Sequence, residues 1–287
     1  MQRFPRIVLR LIAILPLAVL HRMGSLLGWA MYGISPTYRR RLRANLRQAG
    51  YAEARTRRQA IAAGGQMLAE LPVLWFRPHR EVAALVQRAD GLESALAAAR
   101  AQGKAALFLT PHLGSFEIAA QYAAAQAPIT ILYRSPKLGW LEPLMREGRG
   151  RQNVRLAPAT RAGVREIFAA LKRGEAVGLL PDHVPGEGEG EWAEYFGRPA
   201  YTMTLAARLA ERDDVRCYLA YAKRLPRGAG YTITVRPLPE ALPGERATRR
   251  LNRALEALVR ECPGQYLWGY NRYKIPRGAP APGTGPT

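Results

Sequence analysis

Cysteine is almost absent from this chain: Cys217 and Cys262 are the only two in 287 residues. Their spacing matches no metal-ligand pattern and builds no disulfide framework, which leaves a reducing, cytosolic setting as the default. Acidic residues are scarce as well, 22 against 43 lysines and arginines, for a formal net charge of +21. A surplus of that size implies an anionic partner, whether nucleic acid, anionic lipid or an acidic protein. It is concentrated at the start, where residues 1–60 hold twelve arginines and a single acid, Glu53.

Long apolar runs are missing too. Ile7 to Leu20 is broken by Arg10, His21 and Arg22 intervene, and apolar character resumes from Met23 to Ile34. A spanning helix needs about 20 apolar residues. No small-x-small cleavage site follows Leu20, which argues against a removed signal peptide. Residues 1–35 therefore read as a membrane-anchoring helical segment, inserted or shallow, with the arginines from Arg39 onward on the cytoplasmic side. An ordinary buried helix pair is the competing reading.

Short apolar runs at Ala105–Thr110, Ile129–Tyr133 and Val177–Leu180 suit buried strands, and Val215–Ala222 and Tyr231–Val235 add two more. Helical patterns lie between and around them, at Arg39–Leu74, Leu92–Arg100, Phe116–Ala127, Arg161–Arg173 and Arg246–Glu261. This alternation predicts an α/β fold with a central, mostly parallel sheet flanked by helices, over residues 36–276. Residues 277–287 are rich in Pro and Gly without apolar content and are expected to be a disordered tail. No internal repeat is present.

The most informative stretch is Thr110-Pro111-His112-Leu113-Gly114-Ser115-Phe116-Glu117, directly after a buried strand. On a continuous helix a five-residue offset turns a side chain by about 500°, so His112 and Glu117 converge only if the chain turns between them. Gly114 and Ser115 suit such a turn, and Ser115 suits the N-cap of the helix that follows. Glu117 then falls in the first helical turn, where the dipole favours an ionised carboxylate. In reach of His112 Nδ1 it would fix the tautomer and leave Nε2 free as a base. A strand-end histidine satisfied by backbone beside an exposed glutamate is the alternative. Covalent catalysis is disfavoured, because Ser115 lies in no Gly-x-Ser-x-Gly elbow and neither cysteine has a histidine nearby. His112, Glu117, Asp182 and His183 share no metal-ligand spacing, so neither metal nor cofactor is expected.

Histidine, four residues, then glutamate after a strand resembles the histidine–acid motif of membrane-associated acyltransferases. In detail the chain resembles the late lipid A acyltransferases of Gram-negative bacteria. The resemblance runs through Tyr133-Arg134-Ser135-Pro136, Arg149-Gly150-Arg151 and Leu180-Pro181-Asp182-His183-Val184-Pro185-Gly186. It continues through Tyr195-Phe196-Gly197-Arg198-Pro199-Ala200 and Gln265-Tyr266-Leu267-Trp268-Gly269-Tyr270-Asn271-Arg272-Tyr273-Lys274. Glycerolipid acyltransferases usually carry Asp at the acid position and a Phe-Pro-Glu-Gly-type block, and both are missing here.

The resemblance implies a glycerolipid-acyltransferase-like fold at the cytoplasmic face of the inner membrane. It implies transfer of a fatty acyl group from acyl carrier protein to a hydroxyl of a lipid A precursor. His112 would be the base, Glu117 its orienting partner, and Arg149 the group facing the oxyanion. Arg134 and Arg151 are read as phosphate-binding residues of the substrate site, since arginine grips phosphate bidentately. Asp182 joins them, with orienting a catalytic group or capping the loop at Pro185-Gly186 both left open. Another lipid or glycolipid acceptor is the runner-up, and a non-catalytic basic protein of membranes or nucleic acid is the rival class. The interleaved aromatics and bases at Trp268, Tyr270, Arg272, Tyr273 and Lys274 fit a membrane-interface belt or a nucleic-acid platform. The resemblance favours the belt and no nucleic acid.

Overall fold

The computed structural model describes residues 3–282 apart from 137 and 152. The chain opens with α1 (Arg3–Ile14), α2 (Leu17–Ile34), α3 (Pro36–Gln48), α4 (Ala54–Phe76) and a short α5 (His79–Ala83). Strands and helices then alternate: β1 (Val86–Asp90), α6 (Leu92–Ala101), β2 (Ala105–Leu109), α7 (Phe116–Gln126), β3 (Ile129–Tyr133), α8 (Leu141–Arg149), β4 (Val154–Pro158), α9 (Arg161–Lys172) and β5 (Ala176–Leu179). A hairpin of β6 (Gly190–Tyr195) and β7 (Arg198–Met203) precedes α10 (Thr204–Ala210), β8 (Val215–Arg224), β9 (Tyr231–Pro237) and α11 (Ala247–Glu261).

The main sheet has the order β1-β9-β8-β2-β5-β3-β4. Its five strands from β8 to β4 are mutually parallel, while β9 runs antiparallel to β8 and pairs in parallel with β1. The expected mixed α/β architecture with a mostly parallel sheet is therefore present. The period-two alternation of a strand sends Leu107 and Leu109 of β2 into a core shared with α9 and α11. Ala106 and Phe108 enter a second core, shared with α6 and α7. Both faces are thus covered, which explains why β2 is buried along its whole length.

The single helix expected over Arg39–Leu74 is two helices. After α3, the Tyr51 amide reaches back to the Leu46 carbonyl (2.8 Å) and the Gly50 amide to that of Arg47 (3.0 Å). Gly50 has φ +86°, so this is a glycine-terminated helix end that apolar periodicity alone does not reveal. The run Trp268 to Lys274 is also not an exposed belt. Trp268 is buried and packs its ring on Phe196 and Tyr266, while the buried Arg272 donates to the Tyr201 carbonyl and Thr202 Oγ1. In the C-terminal tail, Trp192 Nε1 donates to the Pro280 carbonyl at 2.8 Å; residues 283–287 lie outside the described residues.

Among the described residues no single helix is long and apolar enough to cross a membrane, and α1 and α2 together are bent by 118°. Helix α2 packs closely on α4 through Gly24, Gly28 and Gly65. A Cβ added at Gly28 would lie 2.1 Å from the Ile61 carbonyl oxygen, and one at Gly65 2.0 Å from that of Gly24. Backbone atoms cannot yield as a side chain can, so a substituent must part the helices. Gly28→Ala is expected to destabilise the protein by about 1–3 kcal/mol, the usual cost of overpacking. Thermal denaturation against wild type checks this, and an unchanged midpoint would contradict the close helix crossing.

Candidate active site

The site lies at the carboxyl ends of β2 and β5, where open parallel sheets place their ligands. Leu109 and Leu179 are register partners, and the Thr110 amide extends the ladder to the Leu179 carbonyl at 2.9 Å. His112 and Asp182 each stand three residues beyond those partners. Equal offsets from one register pair bring them together: His112 Nδ1 lies 2.7 Å from Asp182 Oδ1, and the His112 amide donates to Oδ2 at 2.8 Å. Tyr266 Oη donates to the same Oδ2 at 3.2 Å, and Tyr195 Oη lies 3.1 Å behind it.

The turn expected at Gly114-Ser115 is present and tightly held. Gly114 has φ +61°, and a Cβ there would meet the Ala222 carbonyl oxygen at 1.9 Å. Its amide donates to the Gln265 carbonyl, that of Ser115 to Ala222, and the Leu267 amide to His112. The loop bearing His112 is thereby stapled between β8 and the C-terminal segment. Ser115 occupies the N-cap position of α7, but its hydroxyl makes no capping bond.

Burial alone would raise the Asp182 carboxyl. The positive charge on His112, when protonated, and the hydrogen bonds from its ring and amide outweigh that and hold the group well below the usual carboxylate range. An ionised carboxylate only accepts, so Nδ1 carries the proton and the Nε2 lone pair is left free. His183 stacks on the His112 ring at a centroid distance of 4.0 Å, and Phe116 meets its edge at 4.8 Å. Burial and the adjacent His112 charge push the His183 imidazole down to about 4, so it is neutral at physiological pH. Tyr270 closes the outer side of His183 and its hydroxyl accepts from the Val184 amide at 2.9 Å.

Glu117 lies in the first turn of α7 as expected, but buried, and its oxygens serve a different group. Arg149 Nε donates to Glu117 Oε2 at 3.0 Å, Arg149 Nη2 donates to Oε1, and Trp75 Nε1 donates to Oε2 at 3.3 Å. The guanidinium also lies over the Trp75 ring, 5.8 Å from its centroid. The expected contact between Glu117 and His112 Nδ1 is thus replaced by one from Asp182, because strand pairing brings that carboxylate closer than the turn brings Glu117. Of the two alternatives left open for Asp182, orienting a side chain is the one the geometry matches.

His112, Glu117, Arg134 and Arg149 line one cavity of about 430 Å³, whose walls include Phe116, Ile131, Leu132, Leu180 and Met203. Arg134 is exposed at its rim. Arg151 is not among the lining residues. Its Nη2 donates to the Leu74 carbonyl at 2.6 Å and its Nη1 to that of Arg77, so it ties down the end of α4 where a phosphate contact was expected. His183, Tyr266 and Trp75 were missed as site residues. His183 adjoins Asp182 in sequence and was legible only as a neighbour, and the other two reach the site through tertiary contacts. Among the described residues no cluster of His, Cys, Asp and Glu of metal-binding size occurs.

The cavity joins a free imidazole nitrogen, a fixed guanidinium and apolar walls, a set suited to moving an acyl group onto a hydroxyl. Comparison with known proteins points the same way. A family described as bacterial lipid A biosynthesis acyltransferase matches residues 4–275. The lipid A biosynthesis lauroyltransferase of Escherichia coli (strain K12) is 28% identical over 226 residues, covering 76% of this chain and 71% of that protein. The palmitoleoyltransferase of the same pathway and organism is 28% identical over 213 residues, 73% of this chain and 68% of its own length. A lipid A biosynthesis acyltransferase of Haemophilus influenzae is 22% identical over 175 residues, 59% of this chain and 54% of the relative. With nearly its whole length matched, the chain belongs to the bacterial lipid A biosynthesis acyltransferase family and is an acyltransferase.

Proposed function

We propose that the protein moves a fatty acyl group from an acyl carrier protein thioester to a hydroxyl of a lipid A precursor, working at the cytoplasmic face of the inner membrane. The observation that carries this reading is the His112 Nδ1–Asp182 pair at 2.7 Å, whose Nε2 is left for a substrate beside the cavity. Nε2 takes the proton of the acceptor hydroxyl as its oxygen attacks the thioester carbon. The carbonyl oxygen becomes an oxyanion, and the Arg149 guanidinium, held by Glu117 and Trp75, faces that charge. Collapse of the tetrahedral intermediate expels the carrier thiolate, which recovers the proton from the His112 imidazolium. Arg134 at the rim suits an acidic headgroup or the phosphate of the donor. The net charge of +21 suits both an acidic carrier protein and an anionic lipid surface. Residues 1–35 serve as the membrane-anchoring segment in this reading.

The test is transfer by purified protein into a lipid A precursor, with acyl carrier protein and coenzyme A thioesters offered separately, alongside mass spectrometry of lipid A from a deletion strain. Full acylation of lipid A in the deletion strain together with inactivity in vitro would overturn the reading. A preference for the coenzyme A thioester would overturn the donor alone.

Arg149→Ala is expected to lower kcat with little change in KM, by about 10²–10³-fold if its charge serves the oxyanion. A rise confined to KM would make it a substrate-binding group instead. Glu117→Gln keeps an acceptor for one guanidinium N–H but removes the paired charge. It is expected to lose less activity than Arg149→Ala, with both effects again on kcat.

A further inference from the structure

The N-terminal helices carry an outward apolar face, and the contacts on their inner side fix how that face can meet a membrane. On α1, Phe4, Ile7, Leu11 and Ile14 recur at helical spacing and each is more than half exposed. Beside that apolar face, α1 is pinned to the enzyme at two places. Arg6 and Arg10 both pair with Glu147 of α8, at 2.8 and 3.4 Å. Arg77, at the end of α4, donates to the Ala13 and Leu15 carbonyls at 2.6 and 2.7 Å. Helix α2 is held more firmly still, by its glycine contacts with α4 and by His21 Nε2 lying 3.3 Å from the buried Glu70. A helix spanning the bilayer would have to give up all of these contacts.

A second exposed apolar element lies on the chain segment between the cavity-lining Arg134 and Arg149. Leu138 and Trp140 are 57% and 51% exposed there, immediately before α8, the helix against which α1 is pinned. Both elements therefore meet at α8, whose last residue lines the cavity. The charge agrees with a lipid partner: α3 begins directly after α2, and its Arg39, Arg40, Arg43 and Arg47 line an open, solvent-facing cleft. Basic residues flanking an in-plane apolar helix favour an anionic leaflet.

We infer that α1 lies along the surface of an anionic phospholipid leaflet, not across it, and that Leu138 and Trp140 form a second insertion point beside the cavity. This rests on the membrane-facing reading above and deepens it, because both insertion points adjoin α8, whose Arg149 lines the cavity, and so would hold the cavity close to the leaflet that carries a lipid acceptor. Trp140 supplies an amphipathic ring suited to the headgroup depth.

The test uses the full chain and vesicles of phosphatidylethanolamine doped with phosphatidylglycerol. Leu138→Glu with Trp140→Glu is expected to lower vesicle partitioning by about tenfold or more, as two apolar side chains leave the hydrocarbon. Turnover of vesicle-embedded acceptor should fall with it, while turnover of detergent-dispersed acceptor stays at the wild-type rate. Unchanged partitioning, or equal loss on both forms of acceptor, would overturn the second insertion point. Nitroxide labels at single cysteines replacing Phe4, Leu11 and Ile14, with Cys217 and Cys262 changed to alanine, should all report one shallow depth. A steady gradient through the bilayer midplane would show a spanning helix and overturn the in-plane arrangement. If wild-type protein transfers no acyl group to either acceptor, the function reading fails, yet partitioning and label depth still decide this inference.

Discussion

Asp182→Asn is expected to cost about as much turnover as removing the imidazole with His112→Ala, roughly 10²–10⁴-fold, the range of general-base catalysis. The reason is geometric. Asp182 uses Oδ2 to accept from the His112 amide and Oδ1 to accept from Nδ1. An asparagine in this place must keep its oxygen on the backbone N–H, since only an acceptor can answer it, and so presents its NH₂ to Nδ1. That turns Nδ1 into an acceptor and moves the ring proton to Nε2. The nitrogen offered to the substrate then donates where it should accept. The Asn variant should keep its near-ultraviolet spectrum and its substrate KM while kcat falls. In His112→Ala the His112 amide and the Tyr266 hydroxyl still reach the carboxylate, so the chain should fold. Single-turnover transfer measurements on both purified variants decide the matter. Near-normal kcat in Asp182→Asn would sink the orienting role, and near-normal kcat in His112→Ala would sink the base.

The central strands were legible because they are buried on both faces and read as apolar runs, as at Ala105–Leu109 and Ile129–Tyr133. The edge strands were not. β1 mixes half-covered and exposed residues without a two-residue period, and β4 contains exposed Arg155 and ends in a proline, so neither stands out from a loop. The β6–β7 hairpin had a signal in its two-residue Phe196-Gly197 connection, but its weakly alternating flanks hid it. At the site, His112 was found because a histidine straight after a buried strand is conspicuous. Its partner was assigned to Glu117, the nearest acid in sequence, whereas the carboxylate that meets it is 70 residues away. Only the pairing of β2 with β5 brings Asp182 there, and strand order is not written in local patterns. Glu117 does lie in the first turn of α7 as its sequence position indicates, but local reasoning could supply neither its burial nor Arg149 as its partner.

Glu70→Gln is expected to destabilise the fold by about 3–5 kcal/mol, the usual cost of removing one member of a buried ion pair. Glu70, on α4, is almost fully buried and ties that helix to three other elements: His21 of α2, Arg224 of β8 through two bonds of 2.8 and 2.6 Å, and Tyr231 of β9 at 3.0 Å. Burial alone would raise its carboxyl, but the Arg224 charge and the hydrogen bonds from His21 and Arg224 lower it to about 2. A glutamine leaves the Arg224 guanidinium buried without a counter-charge, and that uncompensated charge is the larger part of the loss. Combining Glu70→Gln with Arg224→Met should therefore recover part of the stability, although two bonded groups are now gone. The pH dependence follows from the direction of the shift. A carboxyl lowered on folding stabilises fully above its unfolded value of about 4.5, and that contribution drains away as pH falls toward about 2. Wild type should therefore lose stability in acid more steeply than Glu70→Gln, Asp182 contributing equally to both. Urea unfolding across that window measures the slopes. Parallel slopes, or a double variant no more stable than Glu70→Gln, would mean that Glu70 is not the charge holding α2 and the β8–β9 pair to α4.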